Sequence, residues 1–295
     1  MTAKAQAAGA LNLAQGFPGY SPPPRLIELA AQAMRDGYNQ YAPPFGLAEL
    51  RRLVADLLRR YYGYVADPET EITITSGATE ALFLALTAVT RSDDEIILLE
   101  PCYDSYAPTV LLAGGIPVCV PLDEKNGFCV DWERVKKRIN RKTKAVVLNS
   151  PHNPTGAVLT EADMFTLASL LCNNDIVVIS DEVYEHIVFD GFRHESVLRY
   201  PELASRAFMI GSFGKTLHVT GWKTGYVVAP PPYTAEVRKI HSQTVFASAT
   251  PFQKAITDYF ALHPDYADGL KSFFQAKRDL FDQAMKKTRF APLPV

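Results

Sequence analysis

KAVVLNSPHNPTGAVLTEADMFTLASLLCNNDIVVISDEVY, residues 144–184, decides the fold. Two short β-branched runs, KAVVLN (144–149) and IVVIS (176–180), bracket a segment with helical spacing from Thr160 to Asn174. Neither run alternates apolar with polar residues. Strands that are apolar throughout are covered on both faces, as in parallel sheets flanked by helices. The same reading extends outward to EITIT (71–75), EIILLE (95–100), IPVCVP (116–121), AFMIG (207–211) and TGYVVA (224–229), with further helical patterns at 79–90 and 131–141. The expectation is an α/β protein with a mostly parallel seven-stranded sheet in a three-layer α/β/α arrangement.

The flanks read differently. A proline-rich loop, QGFPGYSPPP (15–24), leads into a helix from Arg25 to Asp36. After NQYAPPFG (39–46), an amphipathic helix runs to Tyr62 with Leu47, Leu50, Leu53, Val54, Leu57 and Leu58 on one stripe. Helical segments follow at 232–246, 251–263 and 265–287, and the last residues, TRFAPLPV, read as the start of a strand. The expected organisation is an arm and part of a small domain over 1–36, a large domain over 37–264, and a linking helix with the start of the small domain over 265–295.

Composition narrows the class. With 47% apolar residues, 21% charged residues and a net charge of −2, the chain has a globular balance and lacks the basic excess of a nucleic-acid binder. No apolar run reaches the length of a membrane span. The N-terminal stretch is interrupted by Gln and Asn, which reads against a signal peptide. Cys102, Cys119, Cys129 and Cys172 lie far apart, without metal-ligand spacing. They read as reduced, mostly buried thiols of a cytoplasmic protein.

The residues that carry chemistry fall at strand ends, where open α/β sheets bind ligands. Gly77-Ala78-Thr79 opens a helix after the first strand, and its backbone N–H groups and helix dipole suit a phosphate. Tyr103 follows the second strand, Asn153 the fourth, Asp181 and Tyr184 the fifth; Ser212, Lys215 and Lys223 follow the sixth. Taken singly each has a plain structural reading. Asp181 suits a cap, NPTG a turn, Tyr103 a packed aromatic, and the lysines a solvated surface. His152, His186, His218 and His241 share no metal spacing and read as structural residues or as supports behind the site.

Taken jointly and in order, the set meets the needs of pyridoxal 5'-phosphate (PLP). Lys215 supplies an amine for its aldehyde. Asp181 supplies a carboxylate for the ring nitrogen, and Tyr184 and Asn153 supply donors for the phenolate oxygen. Ser212, Lys223 and the 77–79 backbone clamp the phosphate, and Tyr103 offers a face for the ring.

The strings LNLAQGFPGY, NQYAPPFG, TSGATEAL, EPCYDSYAP, NSPHNPTG, ISDEVYEHIVF, GSFGKTLHVTGWKTGY and KIHSQTVFASATP span nearly the whole chain. In these the chain resembles the class I/II, fold-type I PLP aminotransferases, and among them most closely the methionine and kynurenine (glutamine transaminase K-like) group. The resemblance implies that Lys215 moves the proton between the substrate Cα and the cofactor C4′, with Asp181 and Tyr184 supporting it. It further implies that Gly16, Asn153, Tyr103 and Phe246 approach the substrate. Tyr41 and Phe246 would reach the active site of a neighbouring subunit, so a homodimer with shared sites is expected. The implied reaction is ping-pong transfer of an amino group from an amino-acid donor to a 2-oxo-acid acceptor. An aromatic, apolar pocket (Phe17, Tyr20, Tyr103, Phe246) favours methionine-, kynurenine- or glutamine-like donors.

One departure qualifies the resemblance. The family's pattern continues into a segment bearing an Arg that grips the substrate α-carboxylate, and neither Arg278 nor Arg289 matches that motif. A truncated form with a partial small domain and impaired transamination is therefore expected. Rival readings are a PLP-dependent cysteine-S-conjugate β-lyase and a catalytically silent PLP-binding fragment.

Overall fold

The computed structural model describes residues 1–12, 16 and 18–290. Phe17 and the end of the expected terminal strand, residues 291–295, lie outside the described residues. Seven strands form one sheet: β1 (Ile72–Thr75), β2 (Glu95–Glu100), β3 (Ile116–Pro121), β4 (Thr143–Asn149), β5 (Val177–Asp181), β6 (Ala207–Ser212) and β7 (Gly225–Val228). Their spatial order is β1-β7-β6-β5-β4-β2-β3. Only β7 runs against its neighbours; it lies between β1 and β6, and the remaining pairings are parallel.

The two faces of the sheet feed two separate cores, which is why the strands read apolar without alternation. Ile97, Leu99, Val146, Leu148, Val178 and Met209 enter one cluster with Leu26, Leu50, Val54, Leu58, Met164, Leu167 and Ile256. Their chain neighbours Ile96, Leu98, Ala145, Val147, Ile179, Phe208 and Ile210 enter the other, against Ala81, Leu84, Ala85 and Val237. Helices therefore cover both faces, and the three-layer α/β/α expectation holds.

Local signals account for the helix bounds. Thr160 caps Glu161–Leu171 in a capping box with Asp163. The helix Ala48–Tyr62 buries Leu50, Val54, Leu58 and Tyr62 at four-residue spacing and stops at Gly63 in the left-handed conformation (φ 71°). The helix expected over 265–287 is present, with a tighter first turn. A short turn, Tyr266–Gly269, precedes the helix Leu270–Met285. Arg60 and the Tyr61 hydroxyl both reach Asp268, and Gly269 has little helical preference.

The cysteines also correct an expectation, because none is fully buried. Cys129 and Cys172 are exposed, and Cys102 and Cys119 are half-buried. Cys172 sits just past the end of the helix Glu161–Leu171, and Cys119 lies on β3, an edge strand.

Because β7 runs backwards, its first residues arrive at the edge where β1, β4, β5 and β6 end. Gly225 pairs with both Thr75 and Ser212 there. A Cβ at Gly225 would stand 2.7 Å from the Ala78 nitrogen, 2.8 Å from the Gly77 carbonyl carbon and 2.9 Å from the Gly211 oxygen. All three are backbone atoms that cannot swing aside. Gly225→Ala is therefore expected to lower stability by about 1–3 kcal/mol, read from the urea midpoint. Gly221→Ala, with nothing within 4 Å of the new methyl group, should leave the midpoint unchanged; equal midpoints for both variants would contradict this packing.

Candidate active site

Asp181 is the last residue of β5, not the helix cap that it resembles when read alone. It pairs with Asn149 of β4 and Ile210 of β6, so the sheet holds its backbone on both sides. Its carboxylate is buried and accepts hydrogen bonds from the Tyr106 hydroxyl at 2.6 Å and the Val183 N–H at 3.4 Å. Burial pushes the carboxyl up to about 6. The two donors and the nearby Lys215 charge pull it down, and Glu182 adds to the rise. This buried carboxylate has too few protein donors to be comfortable as an anion.

Two residues at the centre of the site escaped the sequence reading. Asn149 donates from its side chain to the Asp181 carbonyl at 2.9 Å and accepts the Asn153 N–H at 2.7 Å, joining the NPTG loop to β5. Its signal was a polar residue closing the apolar run AVVL. Tyr106 opens the helix Tyr106–Leu112 and crosses Tyr103 edge-to-face at 5.6 Å. Burial raises the Tyr106 hydroxyl well above its ordinary range, so it stays a neutral donor. Two tyrosines three residues apart, at a helix start, were the available clue.

Lys215 lies in the one-turn helix Phe213–Thr216 that continues from β6. Its ammonium nitrogen stands 5.2 Å from the centroid of the Tyr184 ring. Tyr20 attaches to the same segment: its hydroxyl is 3.4 Å from His218 Nδ1, and the two rings meet edge-to-face at 4.8 Å. Burial depresses His218, and His152 falls to about 4, so neither ring is suited to carry a proton near neutral pH.

The anion cradle gathers at the start of the helix Gly77–Val89. Gly77 is left-handed (φ 77°), and a Cβ there would meet the Lys223 Nζ at 3.2 Å and Cε at 3.1 Å. The Lys223 side chain is therefore folded over Gly77. Lys223 itself holds a positive φ of 50°, a conformation that costs a non-glycine residue about 1–3 kcal/mol. Ser212 is buried beside it at the end of β6, pairing with Gly225, while Ala78 and Thr79 supply the first helical N–H groups.

The expected substrate residues divide, and Tyr41, expected as a cofactor contact, goes with Phe246. Tyr103 and Asn153 join the Asp181 network, as described. Tyr41 and Phe246 meet edge-to-face at 5.2 Å, but the pair lies at the surface, 83% and 42% exposed. Phe246 holds a positive φ of 70° because it turns off the helix Pro231–Thr244 through two N–H bonds to the His241 carbonyl, from Val245 and Phe246. Gly16 is exposed, with open space where a Cβ would stand. Arg278, set aside in the sequence, makes a bidentate pair with Asp190 at 2.6 and 2.7 Å.

A sequence model of the family described as aminotransferase class I and II matches residues 8–295. The chain belongs to the class I and II aminotransferases. It is 45% identical over 294 residues to the methionine aminotransferase of Escherichia coli K12, covering 100% of this chain and 76% of that relative. It is 34% identical over 300 residues to human kynurenine–oxoglutarate transaminase 3, covering 96% of this chain and 66% of that one. Among solved structures, an Escherichia coli protein identified as having a methionine aminotransferase function superposes with a TM-score of 0.96 at 44% identity, covering 99% of this chain and 77% of that chain. N-succinyldiaminopimelate aminotransferase from Mycobacterium tuberculosis superposes at 0.95 with 38% identity, covering 99% and 76%. The fold, the family and aminotransferase activity thus agree with the sequence reading.

The donor set fits the family's cofactor. A crowded cationic helix start suits a phosphate dianion, and an under-donated buried carboxylate suits a protonated ring nitrogen. Without that partner the carboxylate has a cost with a definite pH dependence. Because its folded-state value is raised, the folded protein holds the Asp181 proton longer than the unfolded chain does. Stability is therefore lost as pH rises from about 4 to about 6, by on the order of 3 kcal/mol. In cofactor-free protein, Asp181→Asn should gain stability relative to wild type across that interval. Denaturation curves at pH 4 and pH 7 read the change, and a difference between the two proteins that is independent of pH would exclude it.

Proposed function

We propose that the chain is a PLP-dependent aminotransferase acting on methionine-like or aromatic amino acids, with Lys215 as the covalent and proton-transferring residue. The observation that carries this reading is the convergence of Lys215, Tyr184 and Asp181 at the ends of β5 and β6, beside a cradle formed by Gly77, Ser212 and Lys223. When bound there, PLP supplies an electron sink that makes the donor's Cα proton removable.

The chain's own residues supply the rest. Lys215 would hold the cofactor through its amine and would serve as the base for the donor's Cα proton. Asp181 holds its charge against the ring nitrogen, with Tyr106 fixing the carboxylate's orientation. Tyr184 and Asn153 donate toward the phenolate oxygen. Gly77, Ala78, Thr79, Ser212 and Lys223 bind the phosphate and set the ring's register over Lys215. Tyr103, carried on Tyr106, presents a face to the ring.

The donor class rests on two supports. The relatives matched over nearly all of this chain include enzymes named for methionine and kynurenine. In this chain Tyr20 and Tyr103, both beside the Lys215 and Asp181 elements, offer apolar surface rather than charge. Gly16 and Asn153 are assigned to the substrate carboxylate. Exposed Tyr41 and Phe246 are assigned to the neighbouring subunit's site, making the working unit a homodimer. Among the described residues no helix is long and apolar enough to cross a membrane.

Purified protein loaded with PLP should show a spectral change on adding methionine, with a 2-oxo acid released and pyridoxamine phosphate left behind. Lys215→Ala should retain PLP through Asp181, Ser212 and Lys223 yet show no conversion. Borohydride treatment, digestion and mass spectrometry should place the pyridoxyl group on the Lys215 peptide. A label on another lysine, or undiminished turnover in the variant, would remove the assignment.

A further inference from the structure

His241 is fully buried on the helix Pro231–Thr244, and both of its ring nitrogens face oxygen atoms. Nε2 lies 2.7 Å from the Pro44 carbonyl oxygen, and Nδ1 lies 2.7 Å from Glu80 Oε1. A carbonyl can only accept, so Nε2 must carry a hydrogen. The proton on the other side sits either on Nδ1 or on Glu80. Glu80 lies in the first turn of the helix Gly77–Val89, where the helix dipole favours a negative charge. Its second oxygen accepts the Ser76 N–H, and hydrogen bonds of this kind favour the ionised carboxylate. Both features place the proton on the ring.

The other charges near these elements do not remove that demand. Arg238, one turn earlier on the His241 helix, is turned to Thr73 Oγ1 and to the carbonyls of Glu69 and Ile72. Lys223 is folded over Gly77. Neither makes a hydrogen bond or ion pair with Glu80 among the described contacts.

We propose that His241 is a buried imidazolium that cancels the charge of Glu80, so that the anion cradle at Ser76–Thr79 keeps its ordered backbone without an unpaired carboxylate one turn behind it. Glu80 is useful there because it fixes the Ser76 N–H. Unpaired, it would repel the dianion for which the cradle is built. His241 is thus a positioning residue that acts through Glu80, and the same ring ties the cradle to the loop 39–46. The part concerning phosphate rests on the reading of the cradle given above; the protonation state does not.

The ring is tested first in the cofactor-free wild-type protein. With histidine labelled with nitrogen-15, long-range proton–nitrogen correlation at pH 8 should show both His241 nitrogens protonated, assigned by their loss in His241→Gln. An unprotonated Nδ1 would overturn the proposal. PLP dissociation constants, measured by cofactor fluorescence, form the second arm. His241→Gln should weaken PLP by at least about tenfold, as an unpaired charge in a partly buried site requires. Adding Glu80→Gln to that variant should restore most of the affinity, and pyridoxal lacking the phosphate should bind all forms alike. A double variant as weak as His241→Gln alone would show that the ring only supports the fold and would refute the charge-cancelling role. Wild-type protein that failed to bind PLP would instead sink the reading of the cradle, while the nitrogen spectrum still decides the imidazolium.

Discussion

A carboxylate held in the interior without enough donors is the constraint around which this molecule is built. Asp181 occupies the end of a central strand, fixed on one side by Asn149 and on the other by Ile210. The side chain is buried, and among the described residues it accepts only from a tyrosine hydroxyl and one long N–H bond. Such a group is a standing cost to the fold. It becomes useful once a cationic ring nitrogen is placed opposite it. Stability has been traded for a site that favours one protonation state of its ligand.

The second constraint is spatial. Under the proposed function Lys215 must reach the same ligand as Asp181 and the cradle, and the sheet order allows this with one reversed strand. Placing β7 antiparallel between β1 and β6 brings Gly225 against both Thr75 and Ser212. That leaves Lys223, two residues earlier, over Gly77. The glycines at 77 and 225 are needed for this approach, since a side chain at either would push the cation from the helix start. A wholly parallel strand would have carried Lys223 to the opposite edge.

Much of this was legible in the chain. The unbroken apolar runs showed a sheet covered on both faces, and the polar residues closing those runs marked the edge where the candidate site gathers. Asp181, Asn153, Ser212 and Lys215 were readable because each interrupts or follows such a run. Tyr106 and Asn149 were not, because their role lies in what they touch across the sheet, and a tyrosine or asparagine at a strand end or helix start has many ordinary uses. Thiol burial was misread because a cysteine beside an apolar run can still sit at an edge strand or past a helix end.

The segment after Asp181 explains how the site can stay rigid on what is otherwise a loop. Glu182 and Glu185 are buried, a costly choice unless every oxygen is used. Glu182 accepts from Ser180 at 2.9 Å, His194 Nε2 at 2.8 Å and the Val197 N–H at 3.0 Å. Glu185 accepts from the hydroxyls of Tyr62 and Tyr226, and burial beside that carboxylate keeps both phenols neutral. The ring of Tyr226 in turn lies against Gly211, the residue before Ser212, where any Cβ would collide with it. Tyr184 is thus carried between two anchored acids, one of which, through Tyr226, packs against β6, the strand that leads into Lys215. Each acid also places negative charge near Asp181 or Tyr184, and Glu182 raises the Asp181 carboxyl further. Neutral hydrogen bonds alone would hold this loop with less cost, but they would not contribute to the electrostatic bias by which, in the proposed site, Asp181 would select a cation.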